Sequence, residues 1–294
     1  MTSARERAAF VALLRLNRRP WPEYVAAVET AGAALSVLEG ELAGANGQIS
    51  LLPTDATGVI EAAAAEIAGW EGEGLQLLTV LDESYPPNLR SVHDRPPLVF
   101  VAGSLAVQDR RSIAVIGARR ATQVGLAAAA TLANGLVAAG YVVVSGLAAG
   151  IDAAAHRAAT AAGGRTVAVI GTGLRHAYPA ENATLQRQIA AHGAVVSQFW
   201  PDTPPSRETF PKRNAVMSGF ALGTVIVEAS YRSGARLQAR FALAQGRPVF
   251  LMRSVLAQTW AQDMARRPGV HVVDGAEQII ATIERLHGSD APTE

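Results

Sequence analysis

The chain has 294 residues, of which 49% are hydrophobic and 17% are charged, and its formal net charge is +1. This length suits one large domain, or a large domain with a small one, and the composition is that of an ordinary globular protein. A net charge so close to zero gives no general attraction to nucleic acid, and the absence of cysteine excludes disulfides, thiolate metal sites and cysteine nucleophiles.

The first residues and the apolar runs bear on localisation. Residues 1–10 carry charges of both signs and no apolar core, which is not the pattern of a signal peptide. No uninterrupted run of about 18 apolar residues is present, so the sequence predicts no membrane span. We therefore expect a cytoplasmic protein with no membrane partner.

The first seventy residues have the pattern of short helices. Apolar residues recur at helical spacing over Ala8–Leu16, and the segment Arg19-Pro20-Trp21-Pro22 then ends one helix and begins another near Glu23–Thr30. Glycines between positions 40 and 47 indicate a loose connection. Ala56–Trp70 is a further helix candidate, and the low content of aromatic and β-branched residues favours a small all-helical domain.

From Leu98 onward, short apolar runs alternate with Ala-rich helical segments. Uninterrupted Val and Ile runs are typical of strands buried on both faces, which requires helices on both sides of a parallel sheet. We therefore predict an α/β fold of the doubly wound, Rossmann-like type with mostly parallel strands. The predicted strands are Leu98–Ala102, Ser112–Ile116, Tyr141–Ser145, Thr166–Ile170, Ala194–Ser197, Thr224–Val227, Pro248–Leu251 and Val270–Val273. The predicted helices are Val124–Ala139, Ala153–Ala162, Thr184–Ala191, Arg213–Ala221, Arg236–Gln245 and Ala276–Leu286.

The predicted strands end in small residues. Gly117 follows one strand, Ser145-Gly146 ends the next, and Gly171-Thr172-Gly173 follows a third. In open α/β sheets, ligands bind just outside the carboxyl ends of the strands, and small residues there let backbone N–H groups approach an anion closely. We therefore expect the binding site at this edge of the sheet.

The loops after the first two of these strands exclude a dinucleotide cofactor. In Gly117-Ala118-Arg119-Arg120-Ala121-Thr122, Arg119 projects over the strand ends and Thr122 can cap the next helix. The loop is not a G-x-G-x-x-G fingerprint, and no acidic residue follows the next strand. Asp152 at the end of Ser145–Asp152 either caps a helix or takes part in ligand binding. His156 lies one turn later and fits a neutral, structurally bonded histidine better than a catalytic one.

Three further loops carry polar groups to the same edge. Gly171-Thr172-Gly173 can form a phosphate-binding nest. Phe210-Pro211-Lys212-Arg213-Asn214 follows a Pro-rich loop and places an exposed aromatic beside two cations at a helix N-terminus. Lys212 is the only lysine in the chain, which favours a functional role. Glu228 and Ser233-Gly234 lie where a later strand meets its helix.

Taken together, these motifs resemble the DNA-processing protein A family (DprA, also called Smf) in order and spacing over residues 75–285. The Tyr85-Pro86 and Pro96-Pro97 segments are similar to the lead-in to that family's Rossmann-like core, and the helical region before them is similar to its small SAM-like domain. The matching motifs are Gly117–Thr122, Ser145–Asp152, Gly171–Asn182, Ser197–Asn214, Glu228–Ala239 and Gly246–Phe250.

The resemblance implies a protein that binds and protects incoming single-stranded DNA and loads the RecA recombinase onto it during natural transformation. It further implies a homodimer, with no catalytic residue, metal or cofactor. By motif, Arg119, Lys212 and Arg213 would contact the DNA backbone, Phe210 would stack on a base, and the glycines would shape the pocket floor. The candidate DNA- or phosphate-binding residues are Gly117, Arg119, Thr122, Ser145, Gly146, Gly150, Asp152, Gly171, Thr172, Gly173, Phe210, Lys212, Arg213, Asn214, Glu228, Ser233 and Gly234.

The sequence also departs from the family pattern. Ala215 replaces an Arg after Asn214, Ser233–Ala239 replaces Ser-Gly-Ser-Leu-x-Thr-Ala, and Met252-Arg253 stands near the usual Pro-Gly. Residues 253–294 are needed to complete the core, so we expect no carboxyl-terminal winged-helix domain. The expected organisation is a helical domain over 1–72, the core over 73–288 and a disordered tail over 289–294.

An alternative function remains open at this point. Gly-rich strand ends also suit a sensor or hydrolase of a nucleotide-derived ligand, for example in defence against phage, with Asp152, His156 and Glu228 as candidate acids or bases. The Pro-Gly-Gly-x-Gly-Thr signature of phosphoribohydrolases is absent. The DNA hypothesis requires the basic residues to cluster, and the candidates are Arg119, Arg120, Lys212, Arg213, Arg232 and Arg236.

Overall fold

The computed structural model describes residues 3–44, 56–231 and 233–287. The chain divides into two compact units, Met1–Tyr85 with Pro96–Phe100, and Pro86–Arg95 with Val101–Glu294. Arg232 and the predicted tail over 289–294 lie outside the described residues.

The described part of the first unit consists mainly of four helices. Ser3 caps the first of them, because its hydroxyl oxygen accepts a hydrogen bond from the Glu6 backbone N–H at 3.1 Å. The unit extends past residue 72 because Trp70 packs edge-on against Phe100, with ring centroids 4.9 Å apart. Its elements are α1 (Ala4–Leu16), α2 (Trp21–Ala31), α3 (Ala34–Gly44), α4 (Ala56–Gly72), β1 (Leu75–Thr79) and the start of β2 (Leu98–Gly103).

The loose connection that we predicted from Gly40 to Gly47 is wrong at Gly40 and Gly44, because α3 runs through both positions, and Gly47 lies outside the described residues. Leu38 and Leu42 of this helix are both buried. Burial of these side chains outweighs the roughly 1 kcal/mol by which one glycine weakens a helix interior. The prediction from composition alone therefore missed a helix that packing holds in place.

The second unit contains a parallel sheet, as the sequence predicts. Its strands β3 to β9 lie in the spatial order β6-β5-β4-β3-β7-β8-β9, and each neighbouring pair is parallel. The strands are β3 (Ser112–Ile116), β4 (Val142–Ser145), β5 (Thr166–Val169), β6 (Ala194–Ser197), β7 (Gly223–Ile226), β8 (Val249–Met252) and β9 (Val270–Val273). The helices are α5 (Pro87–Arg90), α6 (Gln123–Ala138), α7 (Ile151–Ala161), α8 (Ala183–His192), α9 (Thr209–Phe220), α10 (Ala235–Ala244), α11 (Thr259–Ala265) and α12 (Ala276–His287).

The order of the strands reverses at β3. The chain proceeds from β3 to β4, β5 and β6 on one side, and then returns to place β7 on the other side of β3. The crevice outside the carboxyl ends of β3 and β7 is therefore the topological switch point, where ligands bind in folds of this kind. The two loops at this point begin at Gly117 and Val227.

The sheet is covered by apolar helix faces. Leu132 and Leu136 of α6 and Ile151 of α7 are buried in one cluster with Val115 and Val143 of the sheet. This cluster fixes the positions of α6 and α7, whose first turns lie at the switch-point edge. Among the described residues, no helix has the length and apolar character needed to cross a membrane.

Candidate functional site

A cavity of about 570 Å³ opens at the switch point, beside the ends of β3 and β7. The predicted residues that line it are Gly117, Arg119, Asp152, Phe210, Arg213, Asn214, Glu228, Ser233 and Gly234. The predicted residues outside its lining are Thr122, Ser145, Gly146, Gly150, Gly171, Thr172, Gly173 and Lys212. The sequence thus located the edge of the sheet, and the structure separates the residues that face the cavity from those that support it.

Gly117 and Gly150 hold the loops at this edge against each other. Gly150 has a φ of +78°, and a Cβ there would lie 2.3 Å from the Ala118 carbonyl oxygen. The Ala118 N–H donates to the Glu228 carbonyl oxygen at 2.7 Å, and the Ile151 N–H donates to the Ala118 oxygen at 3.2 Å. The loops after β3, β4 and β7 are thereby tied together, and Arg119 is fixed at their rim.

Arg213 and Asp152 form the polar floor of the cavity. Arg213 is 5% exposed, and its Nη1 donates to the Val169 carbonyl oxygen at 3.0 Å. The Gly146 N–H donates to Asp152 Oδ2 at 3.1 Å. A Cβ on Gly146 would lie 1.5 Å from Arg213 Nη1 and 2.8 Å from Asp152 Oδ2, so only glycine fits between these two side chains.

Burial and mutual attraction oppose each other in this pair. Burial lowers the pKa of Arg213 and raises the pKa of Asp152, while each charge counteracts the effect of burial on its partner. A guanidinium stays protonated in proteins, so Arg213 presents a buried positive charge near a carboxyl group. Arg213, to which the resemblance assigns contact with the DNA backbone, is thus a buried residue of the cavity floor.

Asp152 is not the cap of α7. Gly150 occupies the N-cap position, and Asp152 lies in the first turn, where a carboxylate is favoured by the helix dipole. His156, one turn later, is fully buried and its Nδ1 lies 2.7 Å from Thr166 Oγ1. Burial lowers the pKa of His156 to about 3, so the side chain is neutral, which confirms its structural interpretation.

Glu228 occupies the N-terminus of α6. Its carboxylate accepts hydrogen bonds from the Thr122 hydroxyl at 2.7 Å and from the Thr122 N–H at 3.1 Å. The Thr122 hydroxyl oxygen in turn accepts from the Gly125 N–H at 3.0 Å, so the predicted cap is confirmed. A helix N-terminus attracts an anion such as phosphate. In this chain the anion at α6 is the carboxylate of Glu228.

Phe210 lies at the mouth of the cavity between a cation and a second aromatic ring. The Arg119 guanidinium carbon is 5.1 Å from the Phe210 ring centroid. The Tyr178 ring centroid is 5.5 Å away on a ring tilted by 44°. A Cβ on Gly171 would lie 2.8 Å from Phe210 Cδ1, so the ring rests on the glycine. Phe210 is half-buried, not exposed as predicted.

The Gly171-Thr172-Gly173 segment is filled by the chain itself. The Gly173 N–H donates to the Thr203 carbonyl oxygen at 2.8 Å, and a Cβ on Gly173 would lie 2.2 Å from the carbonyl oxygens of Trp200 and Pro201. The Gly173 N–H is thus not free to bind phosphate as we predicted for the nest. The segment instead packs the Pro-rich loop that leads to Phe210.

The cations at the mouth differ partly from those predicted. Lys212 is exposed in the first turn of α9 but does not line the cavity. Arg119, Arg120 and Arg207 are exposed and line it. Arg207 lies in the Pro-rich loop before Phe210 and was not among the predicted residues. Arg232, which we had included in the basic cluster, lies outside the described residues.

Two buried donors of the lining have no partner within residues 3–44, 56–231 and 233–287. They are Arg213 Nε and the side-chain Nε2 of Gln238, a residue that is 2% exposed. Buried polar atoms are nearly always hydrogen-bonded, and an unsatisfied one costs about 1–3 kcal/mol. These donors suit a ligand that carries acceptor oxygens. Sequence reasoning missed Gln238 because it lies in an Ala-rich helical segment.

Comparison with known proteins gives a consistent result. Residues 76–284 match the family described as DNA recombination-mediator protein A. The DNA processing protein DprA of Bacillus subtilis is 35% identical over 66% of this chain and 66% of its own length. DprA of Streptococcus pneumoniae is 35% identical over 70% of this chain and 73% of its own length. The protein Smf of Escherichia coli is 39% identical over 74% of this chain and 59% of its own length. The chain thus spans about two thirds of the length of these relatives.

Solved structures show the same similarity. The X-ray structure of DprA from Streptococcus pneumoniae superposes with a TM-score of 0.71 at 29% identity and covers 95% of both chains. A structure of DNA processing protein A from Helicobacter pylori, reported for its single-stranded DNA binding mode, has a TM-score of 0.63 at 25% identity. That comparison covers 72% of this chain and 96% of the other.

Proposed function

This chain belongs to the DNA recombination-mediator protein A family, and we propose that it binds single-stranded DNA at the switch-point cavity. We further propose that it protects incoming DNA and helps to load RecA onto it in natural transformation, without catalysing a reaction itself. The homodimer implied by the resemblance and the assignment of the helical unit to a SAM-like domain are part of the same proposal. The assignment of the helical unit to a SAM-like domain is supported by the structural similarity to DprA of Streptococcus pneumoniae, which extends over 95% of the chain.

The group of Arg119, Phe210 and Tyr178 carries the proposal. Arg119 and Phe210 line the cavity, and Tyr178, which is 43% exposed, packs against Phe210 beside it. Proteins that bind single strands without sequence preference combine aromatic rings, on which any base stacks, with cations that follow the phosphates. The exposed Arg120 and Arg207 supply further positive charge at the same rim.

The floor of the cavity suits a part of the strand that offers oxygen acceptors. Arg213 Nε and Gln238 Nε2 are buried donors without a partner in the described part of the chain. A carbonyl oxygen of a base or a phosphate oxygen would supply the missing bonds. The positive charge of Arg213 is opposed by Asp152, so most of the attraction for phosphate comes from the rim.

A nucleotide-derived small ligand is the second candidate, because the cavity of about 570 Å³ has the size of a small-molecule site. The N-terminus of α6 argues against it. In Rossmann-like folds this terminus binds the phosphate of the nucleotide, whereas here Glu228 already accepts hydrogen bonds from Thr122 at that position.

A ligand panel separates the two candidates. We expect oligo-dT to raise the melting temperature of the protein and to bind in fluorescence anisotropy, because a strand engages both the rings and the rim arginines. Mononucleotides engage one subsite only and should give no shift at the same concentration of nucleotide units. Stabilisation by a mononucleotide without binding of oligo-dT would overturn the proposal in favour of the small-ligand candidate.

The loading of RecA needs a separate experiment. RecA is added to oligo-dT in the presence and absence of this protein, and the DNA-dependent hydrolysis of ATP by RecA is followed. We expect a shorter lag with the protein than without it. An unchanged or longer lag, together with normal binding of oligo-dT, would restrict the function to DNA binding.

A further inference from the structure

A second cavity, of about 550 Å³, lies beside α10 and α11. We call it the α10–α11 groove and define it by Tyr231, Arg236, Arg240, Trp260 and Arg267, all of which line it. None of these residues has a role in the switch-point cavity described above, and none lines it.

The groove is continuous with the switch-point cavity. Ser233, just before α10, and Leu237, in the first turn of α10, line both of them. A flexible polymer that occupies the first cavity therefore reaches the groove by passing the N-terminus of this helix. A small ligand that fits within the switch-point cavity would not extend into the groove.

The wall of the groove is a stack of two rings and a cation. The Arg236 guanidinium carbon lies 4.3 Å from the Tyr231 ring centroid and 5.5 Å from the Trp260 ring centroid. Arg236 Nη1 also donates to the Tyr231 carbonyl oxygen at 2.7 Å, which fixes the guanidinium. Trp260 is buried, whereas Tyr231 is 64% exposed. The stack therefore presents an open tyrosine ring, backed by a cation, to whatever lies in the groove.

The charges of the groove suit a phosphodiester. Arg240 and Arg267 line it and are exposed, and neither forms an ion pair within the described ranges. Within the described part of the chain, Asp263 is the only carboxylate in its lining. Three arginines against one aspartate leave an excess of positive charge beside an exposed ring, which is the combination that binds a base and its phosphate.

We propose that the α10–α11 groove binds a further nucleotide of the same single strand, with its base on Tyr231 and its phosphate near Arg240 and Arg267. This inference rests on the proposed function of the switch-point cavity. It adds that the binding site extends around the first turn of α10, so that a long oligonucleotide makes contacts that a short one cannot make.

The test compares oligo-dT of about four nucleotides with oligo-dT of about twelve, a range that covers single sites of this type. Tyr231→Ser and Arg267→Gln change exposed residues of the groove, and Tyr231→Phe and Arg266→Gln are the matched controls. Arg266 is the neighbouring exposed arginine and does not line the groove. Thermal melts establish that each variant is folded.

We expect Tyr231→Ser to weaken binding of the long strand by at least about fivefold, the lower limit for loss of one stacked base. Arg267→Gln should make the log–log salt slope for the long strand shallower by about 0.7, the value for one phosphate contact on a single strand. Binding of the short strand should not change, and both controls should behave like the wild type.

Three results would overturn the inference. The first is wild-type binding of the long strand by both groove variants. The second is an equal loss for the short strand, which would mean that the groove is not a separate subsite. The third is an equal effect of Arg266→Gln, which would indicate a general effect of charge. Failure of the wild type to bind oligo-dT of either length would instead contradict the proposed function itself.

Discussion

Arg119 is exposed at the mouth of the switch-point cavity, whereas Arg213 is buried beneath it. The two residues have different surroundings and therefore different tasks. Arg119 lies over the ring of Phe210 and keeps its charge available to a ligand. Arg213 is held by the Val169 carbonyl and lies close to Asp152, so its charge mainly organises the loops around it.

Replacement of Phe210 tests the stacking role. We expect Phe210→Ala to weaken binding of oligo-dT by about 5- to 150-fold, the range that corresponds to the loss of one stacked base. Phe210→Tyr keeps the ring and should stay within about twofold of the wild type. The affinities are measured by fluorescence anisotropy. Equal binding by Phe210→Ala and the wild type would contradict a stacking role for this ring.

Replacement of Arg213 tests the buried pair. Arg213→Met leaves the buried Asp152 carboxyl without the positive charge near it. We expect a loss in the free energy of unfolding that is smaller than the roughly 3–5 kcal/mol for losing one partner of a closely paired buried salt bridge. Adding Asp152→Asn removes the uncompensated charge and should restore part of the free energy of unfolding. Urea denaturation of both variants gives these values. If Arg213→Met alone is as stable as the wild type, Arg213 and Asp152 do not hold the site together.

The residues of the site were predictable to different degrees. Gly117 and Arg119 follow a recognisable strand, so their position at the sheet edge follows from the sequence. The burial of Arg213 does not follow from the sequence, because it depends on how closely the loop containing Gly146 approaches α9. Gln238 and Arg207 carry no pattern that distinguishes them from ordinary helix and loop residues.

At the scale of elements, the strands of the sheet were predicted to within one residue or two at either end, because continuous Val and Ile runs occur where strands are buried on both faces. Three short elements were missed. These are β1, α5 and α11, which are too brief for periodicity to separate from loops. Helix α9 begins at Thr209, four residues before its predicted start. Pro211 lies in the first turn, where no intrahelical partner for an N–H is required, so the proline did not mark a boundary.

The N-terminus of α6 gives a prediction at this scale. Thr122→Ala removes the hydroxyl that accepts from the Gly125 N–H and donates to Glu228. We expect a loss of about 1 kcal/mol in the free energy of unfolding, the usual effect of losing an N-cap. Thr122→Ser keeps both hydrogen bonds and should be close to the wild type. Equal stability of the alanine variant in urea denaturation would show that the cap is dispensable.

At the scale of the whole molecule, charge is distributed unevenly although the total is only +1. Among the residues that the structure describes, four arginines line the switch-point cavity against the carboxylates of Asp152 and Glu228. Glu228 accepts hydrogen bonds from Thr122 at the first turn of α6, and Asp152 lies close to Arg213 on the floor. The net positive charge is therefore concentrated in the exposed rim. Net charge alone does not reveal such an arrangement.

The salt dependence of oligo-dT binding tests most directly whether this rim holds a DNA backbone. The dissociation constant is measured over a series of salt concentrations for the wild type, for Arg119→Ala and for Arg187→Ala, which removes an exposed arginine of α8 outside the cavity. The three rim arginines predict a wild-type log–log slope of about −2, since each phosphate contact contributes about 0.7. Arg119→Ala should make the slope shallower by about 0.7, and Arg187→Ala should leave it unchanged. A slope that is the same for all three proteins would contradict the assignment of the rim to the phosphates of a single strand.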